Sequence, residues 1–148
     1  MEQAASALGD AQGVDVCNLR IGNVAGVDAI LGEWQPGFAL DIYVDGSTPR
    51  RSYIGPESLA KVIVALSRAK ATTRYLNVAA PGVTAMGDLL DAAGLNWTPR
   101  AATAQSIDCV MLDTAKLEGY LRLSRDTSSA PTLVAEWRRA VDQKTVVE

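Results

Sequence analysis

The sequence predicts an α/β fold, and three observations carry that reading. Segments with strand character alternate along the chain with segments of helical periodicity. The boundaries between them are punctuated by turn-forming pairs such as Asp45-Gly46 and Pro81-Gly82. Near the start, the mostly apolar run Val16-Cys17-Asn18-Leu19-Arg20-Ile21 passes straight into Gly22-Asn23-Val24-Ala25-Gly26. That is the ground plan of a parallel strand whose carboxyl end opens onto a ligand crevice.

Residues 1–8 are good helix formers with nothing before them to cap a helix, so they read as the tail of a longer one, broken by Gly9, Asp10 and Gly13. Residues 14–21 form the first strand, residues 22–26 a turn, and residues 27–31 one or two helical turns. A loop at 34–37 leads to a strand at 38–44 that alternates well and ends in Asp45-Gly46. A short strand follows at 51–54. The clearest helix opens at Pro56, a residue suited to the first helical position, and Glu57 complements the helix dipole. Its apolar face is Leu59, Val62, Ile63 and Leu66. A strand at 75–79 closes on Pro81-Gly82, and Thr84 or Ala85 leads into the helix Met86–Ala93, with Gly94 as a left-handed cap. Residues 95–104 read as irregular, 107–112 as a strand, 114–121 as a helix and 131–141 as an amphipathic helix carrying Trp137. The expected unit is residues 1–141, with 142–148 a frayed tail.

Composition narrows the chemistry. With 48% hydrophobic and 21% charged residues the chain fits a globular domain that can bury a core. A net charge of −3 with scattered arginines gives no footprint for nucleic acid. The amino terminus lacks a signal-peptide layout and no apolar run is long enough to span a bilayer, so the expected compartment is the cytoplasm, without membrane contact. Cys17 and Cys109 belong to no ligand-spaced pair and are read as two buried thiols. The count of zero histidines removes His-based triads, His metal sites and imidazole acid/base work, and no metal site is expected.

Two residues stand out as ligand contacts. Asn23, at a strand's carboxyl end, offers an amide donor and acceptor to a sugar or phosphate; alternatively it is a turn former following glycine. Arg51, taken on its chemistry alone, reads first as a solvated arginine beside Arg50, although its planar fork would suit a phosphate. Asn77 reads as a structural amide, and Asp113 as a helix N-cap. Glu33, Asp41, Asp88 and Asp91 form no acid/base pair; Asp88 and Asp91 read as a solvated helix face.

The run Leu19-Arg20-Ile21-Gly22-Asn23-Val24-Ala25-Gly26 resembles the Leu-Arg-x-x-Asn-Val-x-Gly segment of the NAD-dependent epimerase/dehydratase family, the extended short-chain dehydrogenases. Arg51-Ser52-Tyr53-Ile54 resembles that family's Arg-Asp-Phe/Tyr-Ile-His-Val motif, with Ser52, Gly55 and Pro56 departing from it. The strand 75–82 and Leu112-Asp113-Thr114-Ala115-Lys116-Leu117 resemble two later family motifs in the same order. The resemblance implies the last strands of a Rossmann-type NAD(P)-binding fold plus a small α/β substrate lobe. It implies that Ile21 and Gly22 flank the nicotinamide of NAD or NADP, that Asn23 contacts substrate, and that Arg51 holds a nucleotide-sugar phosphate. It makes Arg20 structural, tying the strand end to neighbouring backbone. In the family the glycine fingerprint and the Tyr-x-x-x-Lys pair precede this segment, and neither occurs here, since Tyr43, Tyr53, Tyr75 and Tyr120 all lack a lysine four residues on.

The resulting expectation is the carboxyl-terminal, substrate-binding half of an NAD(P)-dependent epimerase/dehydratase acting on a sugar nucleotide or related hydroxyl/carbonyl substrate, inactive and unable to bind the cofactor alone. The alternatives are a non-catalytic binding or interaction module and a truncated gene product. The first and last of these readings leave an apolar face on residues 2–8 and 14–21 uncovered, favouring self-association or aggregation.

Overall fold

Parallel pairing organises the strands of the computed structural model, which describes residues 1–147, with side chains through residue 143. In chain order the elements are α1 (Glu2–Gln12), β1 (Asn18–Ile21), β2 (Asn23–Val24), β3 (Ala39–Ile42), β4 (Arg50–Arg51), β5 (Tyr53–Ile54) and α2 (Pro56–Ser67). Then come β6 (Tyr75–Val78), β7 (Thr84–Ala85), α3 (Met86–Ala93), β8 (Thr98–Ala101), β9 (Cys109–Val110) and α4 (Ala130–Val147), with 3-10 turns at Leu117–Gly119 and Arg125–Ser128. The fold is mixed α/β. β1 runs parallel to β6 with Asn18 opposite Tyr75 and Ile21 opposite Val78. β2 pairs with β5 and β3 with β8, both parallel, while β4 lies between antiparallel β7 and parallel β9. Parallel neighbours need long crossovers, and α2 provides the return from β5 to β6.

The β2–β5 pair is the seam between two hydrophobic clusters. Successive strand residues point to opposite faces. Tyr53 therefore packs with Leu40, Leu89, Leu90 and Leu133, while its neighbour Ile54 packs with Val62, Leu76 and Val78. All of these except Leu40 are essentially sealed from solvent, and Leu40 nearly so. Val24 of β2 and Ala25, the residue after it, divide between the clusters in the same way.

Helix α2 is started by a residue from the far end of the chain. Its N-cap, Gly55, has no side chain to offer the unpaired amides of the first turn. Glu136 of α4, only 4% exposed, accepts the Ser58 backbone N–H at 2.9 Å and the Ser58 hydroxyl at 2.7 Å. A charge-assisted cap of this kind satisfies the amide and favours the positive end of the helix. One turn on, Arg139 donates to the Glu57 carboxylate through Nε and Nη2.

Helix α1 faces the protein with polar groups. Glu2, Ser6 and Asp10, spaced by four, meet Arg20, Asn18 and Arg74. Its ladder of ion pairs and hydrogen bonds lies against β1 and the start of β6, and its apolar residues face outward.

Several expectations change. The helix expected over 1–8 runs on through Gly9 and Asp10 to Gln12 before Gly13 ends it in the left-handed region. Gly9 is tolerated because a Cβ there would strike the Val14 carbonyl and Val16. The first strand begins at Asn18, not residue 14, because the first backbone bond to a neighbour is Asn18 N–H to the Arg74 carbonyl. Residues 27–31 form turns, organised by Asp28 Oδ1 accepting the Gly26 and Leu31 amides. The 51–54 strand breaks at Ser52 because its two halves pair with different neighbours. Within the irregular stretch 95–104 lies β8, four exposed residues that hold together through backbone pairing with β3. The expected helix at 114–121 shrinks to the single turn Leu117–Gly119. Ile63 is 45% exposed and stands outside the apolar face of α2. Neither thiol is buried: Cys17 is half-buried and Cys109 exposed, both free. The strands at 75–79, 38–44 and 107–112 are found, trimmed at their ends, and Gly94 caps α3 at φ 68°. α4 continues to Val147; Glu148, the last residue of the expected tail, lies outside the described residues.

Candidate functional site

The four residues singled out for cofactor and substrate converge. Ile21, Gly22, Asn23 and Arg51 line one cavity of about 200 Å³, completed by Ser52, Val110 and Leu112. The cavity sits where β1 ends, β2 begins and the β4–β5 chain breaks, at the carboxyl end of a parallel strand. Crevices outside the carboxyl ends of parallel strands are where α/β folds take ligands.

Gly22 makes the crossing from β1 to β2 possible. Its N–H donates to the Val78 carbonyl at 2.9 Å, and a Cβ on it would lie 2.6 Å from the Ser52 carbonyl oxygen. Any side chain would push the strands apart. The same Ser52 carbonyl accepts the Asn23 N–H at 3.0 Å, which fixes Asn23 at the cavity wall.

Ser52 is the residue that sequence reasoning noted only as a departure. It is 4% exposed, and its hydroxyl donates to the Gly82 carbonyl at 3.2 Å while accepting the Leu112 N–H at 2.9 Å. Its own N–H donates to the Val110 carbonyl at 3.1 Å. One small side chain thus staples the β4–β5 break to the turn after β6 and to the segment after β9. Val110 and Leu112, which that staple brings to the cavity, carry no sequence signal as site residues.

Arg51 is held rigidly by backbone carbonyls. Nη1 donates to the Arg50 carbonyl at 2.8 Å and the Asp108 carbonyl at 3.2 Å, and Nη2 to the Ile107 carbonyl at 2.9 Å. A guanidinium has five N–H donors. Nε–H and the second Nη2 proton have no partner among the described residues, so an oxyanion can still be bound without freeing the side chain. Immobilisation in advance reduces the entropic cost of using it.

Elsewhere the roles are structural. Arg20 binds the Glu2 carboxylate through Nε at 3.0 Å and Nη2 at 2.7 Å and lies 4.9 Å over the Tyr75 ring, so its anchor is a side chain, not neighbouring backbone. Those hydrogen bonds raise the Arg20 guanidinium and lower Glu2 relative to their ordinary values. Asn77 donates to the Asp113 carbonyl at 2.9 Å, the structural amide expected of it. Asp113 accepts the Ala115 N–H at 2.9 Å and caps a turn rather than a helix. Asp41 accepts from Ser106 and Arg100, which hold its carboxyl below the usual range. A larger groove of about 490 Å³ lies between α3 and the start of α4, with Asp88 and Asp91 on its rim, and it contains none of the four residues singled out for cofactor and substrate.

Beneath the cavity, the fully buried Tyr53 hydroxyl has no hydrogen-bond partner, and neither has the buried Oδ2 of Asp28. Burial first, and then the nearby Asp28 carboxylate, push the Tyr53 hydroxyl far above the ordinary tyrosine value, against a smaller opposing pull from the Asn23 side chain and Arg51. The cavity lining itself holds an amide, a guanidinium, a hydroxyl and aliphatic groups, and no side chain that exchanges a proton near neutral pH.

No protein-family model matches the chain, and no curated protein matches it in sequence. Solved structures do match in fold. A UDP-glucose 4-epimerase from Brucella ovis in complex with NAD superposes with a TM-score of 0.66 at 19% identity, over 90% of this chain and 51% of that one. A UDP-glucose 4-epimerase from Stenotrophomonas maltophila, with bound NAD and formylated UDP-arabinopyranose, gives 0.65 at 15% identity over 97% and 53%. An NAD-dependent NDP-hexosamine 5,6-dehydratase of tunicamycin biosynthesis gives 0.62 at 15% over 93% and 51%. The likeness at these identities is one of fold, and the chain spans about half the length of each structure.

Proposed function

We propose that this chain is the carboxyl-terminal, substrate-binding half of an NAD(P)-dependent epimerase/dehydratase acting on a sugar nucleotide or a related hydroxyl/carbonyl substrate, and that alone it is inactive. The observation that carries the reading is the convergence of Ile21, Gly22, Asn23 and Arg51 on one cavity at a strand's carboxyl end. It is supported by a fold whose solved neighbours are NAD-dependent enzymes of nucleotide sugars.

Asn23 orients a substrate hydroxyl through its amide, and Arg51 holds a phosphate oxygen with its two free N–H groups. Ile21, 43% exposed, and side-chain-free Gly22 offer a flat apolar lip against which a nicotinamide ring would rest. The lining does not fit the rest of an NAD. It presents no glycine-rich loop at a helix N-terminus for the pyrophosphate. A volume of about 200 Å³ also falls below the roughly 300–1,000 Å³ of ordinary ligand sites, as one wall of a larger crevice should. With no group in the cavity to move a proton, hydride and proton transfer belong to residues outside this wall.

Isothermal titration with UDP-glucose tests the substrate role. Weak binding is expected, reduced about tenfold or more by Arg51→Ala, in keeping with one lost charge-assisted hydrogen bond, and about threefold to tenfold by Asn23→Ala, whose hydrogen bond to a hydroxyl is neutral. Unchanged affinity in both variants would reduce Arg51 to a clamp on residues 107–108 and Asn23 to a turn residue.

A further inference from the structure

The β2–β5 seam gathers three polar side chains at the cavity's base. Asn23 and Tyr53 are register partners in this parallel pair, so their side chains leave the ladder on the same face. Asn23 lines the cavity, and the Tyr53 ring packs into the larger cluster. Asp28 lies in the turns that follow β2. Its Oδ1 accepts the Gly26 and Leu31 amides at 3.1 and 3.3 Å, whereas its Oδ2 is buried without a partner. The Tyr53 hydroxyl, on a residue sealed from solvent, is unpartnered too, and the Asp28 and Asn23 side chains lie beside it. Two unsatisfied buried groups next to each other are unusual, because each forfeits the hydrogen bonds that water would give it.

We propose that ligand binding completes a relay in which the Tyr53 hydroxyl donates to Asp28 Oδ2 and accepts from the Asn23 amide, turning the Asn23 carbonyl oxygen to the cavity so that the site selects a hydroxyl on its substrate. The inference rests on the reading above that Asn23 meets the substrate.

The polarity of the relay follows from what each group can do. A carboxylate oxygen only accepts. The phenol has a single proton, and the charged Oδ2 is the strongest acceptor beside it. Its oxygen is then left with lone pairs, so Asn23 must turn its NH2 toward it. The other end of the amide, the carbonyl oxygen, faces the ligand. There it accepts from a hydroxyl and repels a keto oxygen. Burial leads the upward shift of the phenol; after it Asp28 raises the value and Asn23 lowers it, the senses of an acceptor and a donor. Tyr53 and Asp28 are thus positioning residues that act through Asn23. In the free chain the hydroxyl stays unpaired, and a ligand that orders Asn23 supplies the missing bonds.

Isothermal titration with UDP-glucose, run beside thermal melts, is the test. Tyr53→Phe is expected to melt no lower than the parent chain and yet to bind about threefold to tenfold more weakly, the loss expected of Asn23→Ala. Both changes act through one amide, so the double variant is expected to bind no more weakly than Asn23→Ala alone. UDP-glucoses with a single hydroxyl replaced by fluorine, which removes the donor at little change in size, read the polarity. One of these analogues is expected to show the same loss against the parent chain. Asp28→Asn keeps an oxygen for the Gly26 and Leu31 amides but offers N–H to the phenol, which must then donate to Asn23 and turn its NH2 to the cavity. That variant is expected to lose the discrimination between hydroxyl and fluorine. Full affinity in Tyr53→Phe beside a loss in Asn23→Ala overturns the inference and leaves the substrate reading standing, as do analogues that all bind the parent chain alike. No binding of UDP-glucose by the parent chain overturns both.

Discussion

Tyr53 couples the candidate site to the larger hydrophobic cluster. Its ring is fully buried and anchors the larger hydrophobic cluster, but its hydroxyl faces a buried carboxylate oxygen region without a hydrogen bond. A buried hydroxyl lacking a partner costs about 1–3 kcal/mol relative to one that is satisfied. Tyr53→Phe keeps the ring and removes the cost, so it is expected to leave stability unchanged or raise it by up to about 1 kcal/mol in urea unfolding. A loss of more than about 1 kcal/mol would show that the hydroxyl is satisfied in solution, by the Asp28 or Asn23 side chain beside it. Such detail is invisible in the sequence, where Tyr53 is only the aromatic of a four-residue motif. Gly26 is the opposite case. The motif marks it, and the reason is physical: φ is +86° and a Cβ would enter the Trp137 indole.

At the level of elements, the α2–α4 contact does more than pack. Glu136 caps α2 from 78 positions away, and Arg139 clasps Glu57 in the first turn. Glu136→Ala strands the Ser58 amide and hydroxyl in a buried setting and is expected to cost about 2 kcal/mol, read as a lower urea midpoint with an unchanged slope. The ion pair sets an acid limit as well. Arg139 hydrogen bonds hold the Glu57 carboxyl below its ordinary value, as Arg20 does for Glu2 and as Ser106 and Arg100 do for Asp41. A carboxyl lowered in the folded state adds stability that is complete above its unfolded value of about 4 and lost as pH falls through the folded value. The melting temperature is thus expected to hold between about pH 5 and 7 and to drop below about pH 4. Glu57→Gln should lower it at neutral pH and flatten the acid drop.

Elements were legible where local chemistry and tertiary pairing agree. Pro56, the α2 periodicity, the Gly94 cap and the strand at Tyr75 are all local signals, and all reappear in the structure. β8 was hidden because Thr98-Pro99-Arg100-Ala101 buries nothing and exists only through its ladder with β3. Asp113 and the residues after it satisfy a helix-start pattern, yet the chain makes only the turn Leu117–Gly119 before continuing as loop. Of the cavity's lining, pattern marked the residues on the β1–β2 crossing and Arg51. It did not find Ser52, Val110 or Leu112, because their role depends on a staple between segments about 60 residues apart.

Taken whole, the molecule consists of a parallel β1–β6 pair, a seam at β2–β5, and a lobe of α3, α4 and the β3–β8 pair. Among the described residues no helix is long and apolar enough to cross a membrane, and no group of three or more His, Cys, Asp or Glu is placed to hold a metal. The chain spans about half of the structures that share its fold, and its small cavity is lined by the Arg51 guanidinium, the Asn23 amide and the aliphatic groups of Ile21, Val110 and Leu112. In the function proposed above, the substrate wall is present here and the cofactor site is not completed by this chain. Thermal melts of the isolated chain with UDP-glucose and, separately, with NAD test it most directly. Ligand that binds the native state raises the melting temperature by mass action. A rise is expected with millimolar UDP-glucose and none with NAD; a clear rise with NAD alone, or none with UDP-glucose at any concentration, would contradict this reading.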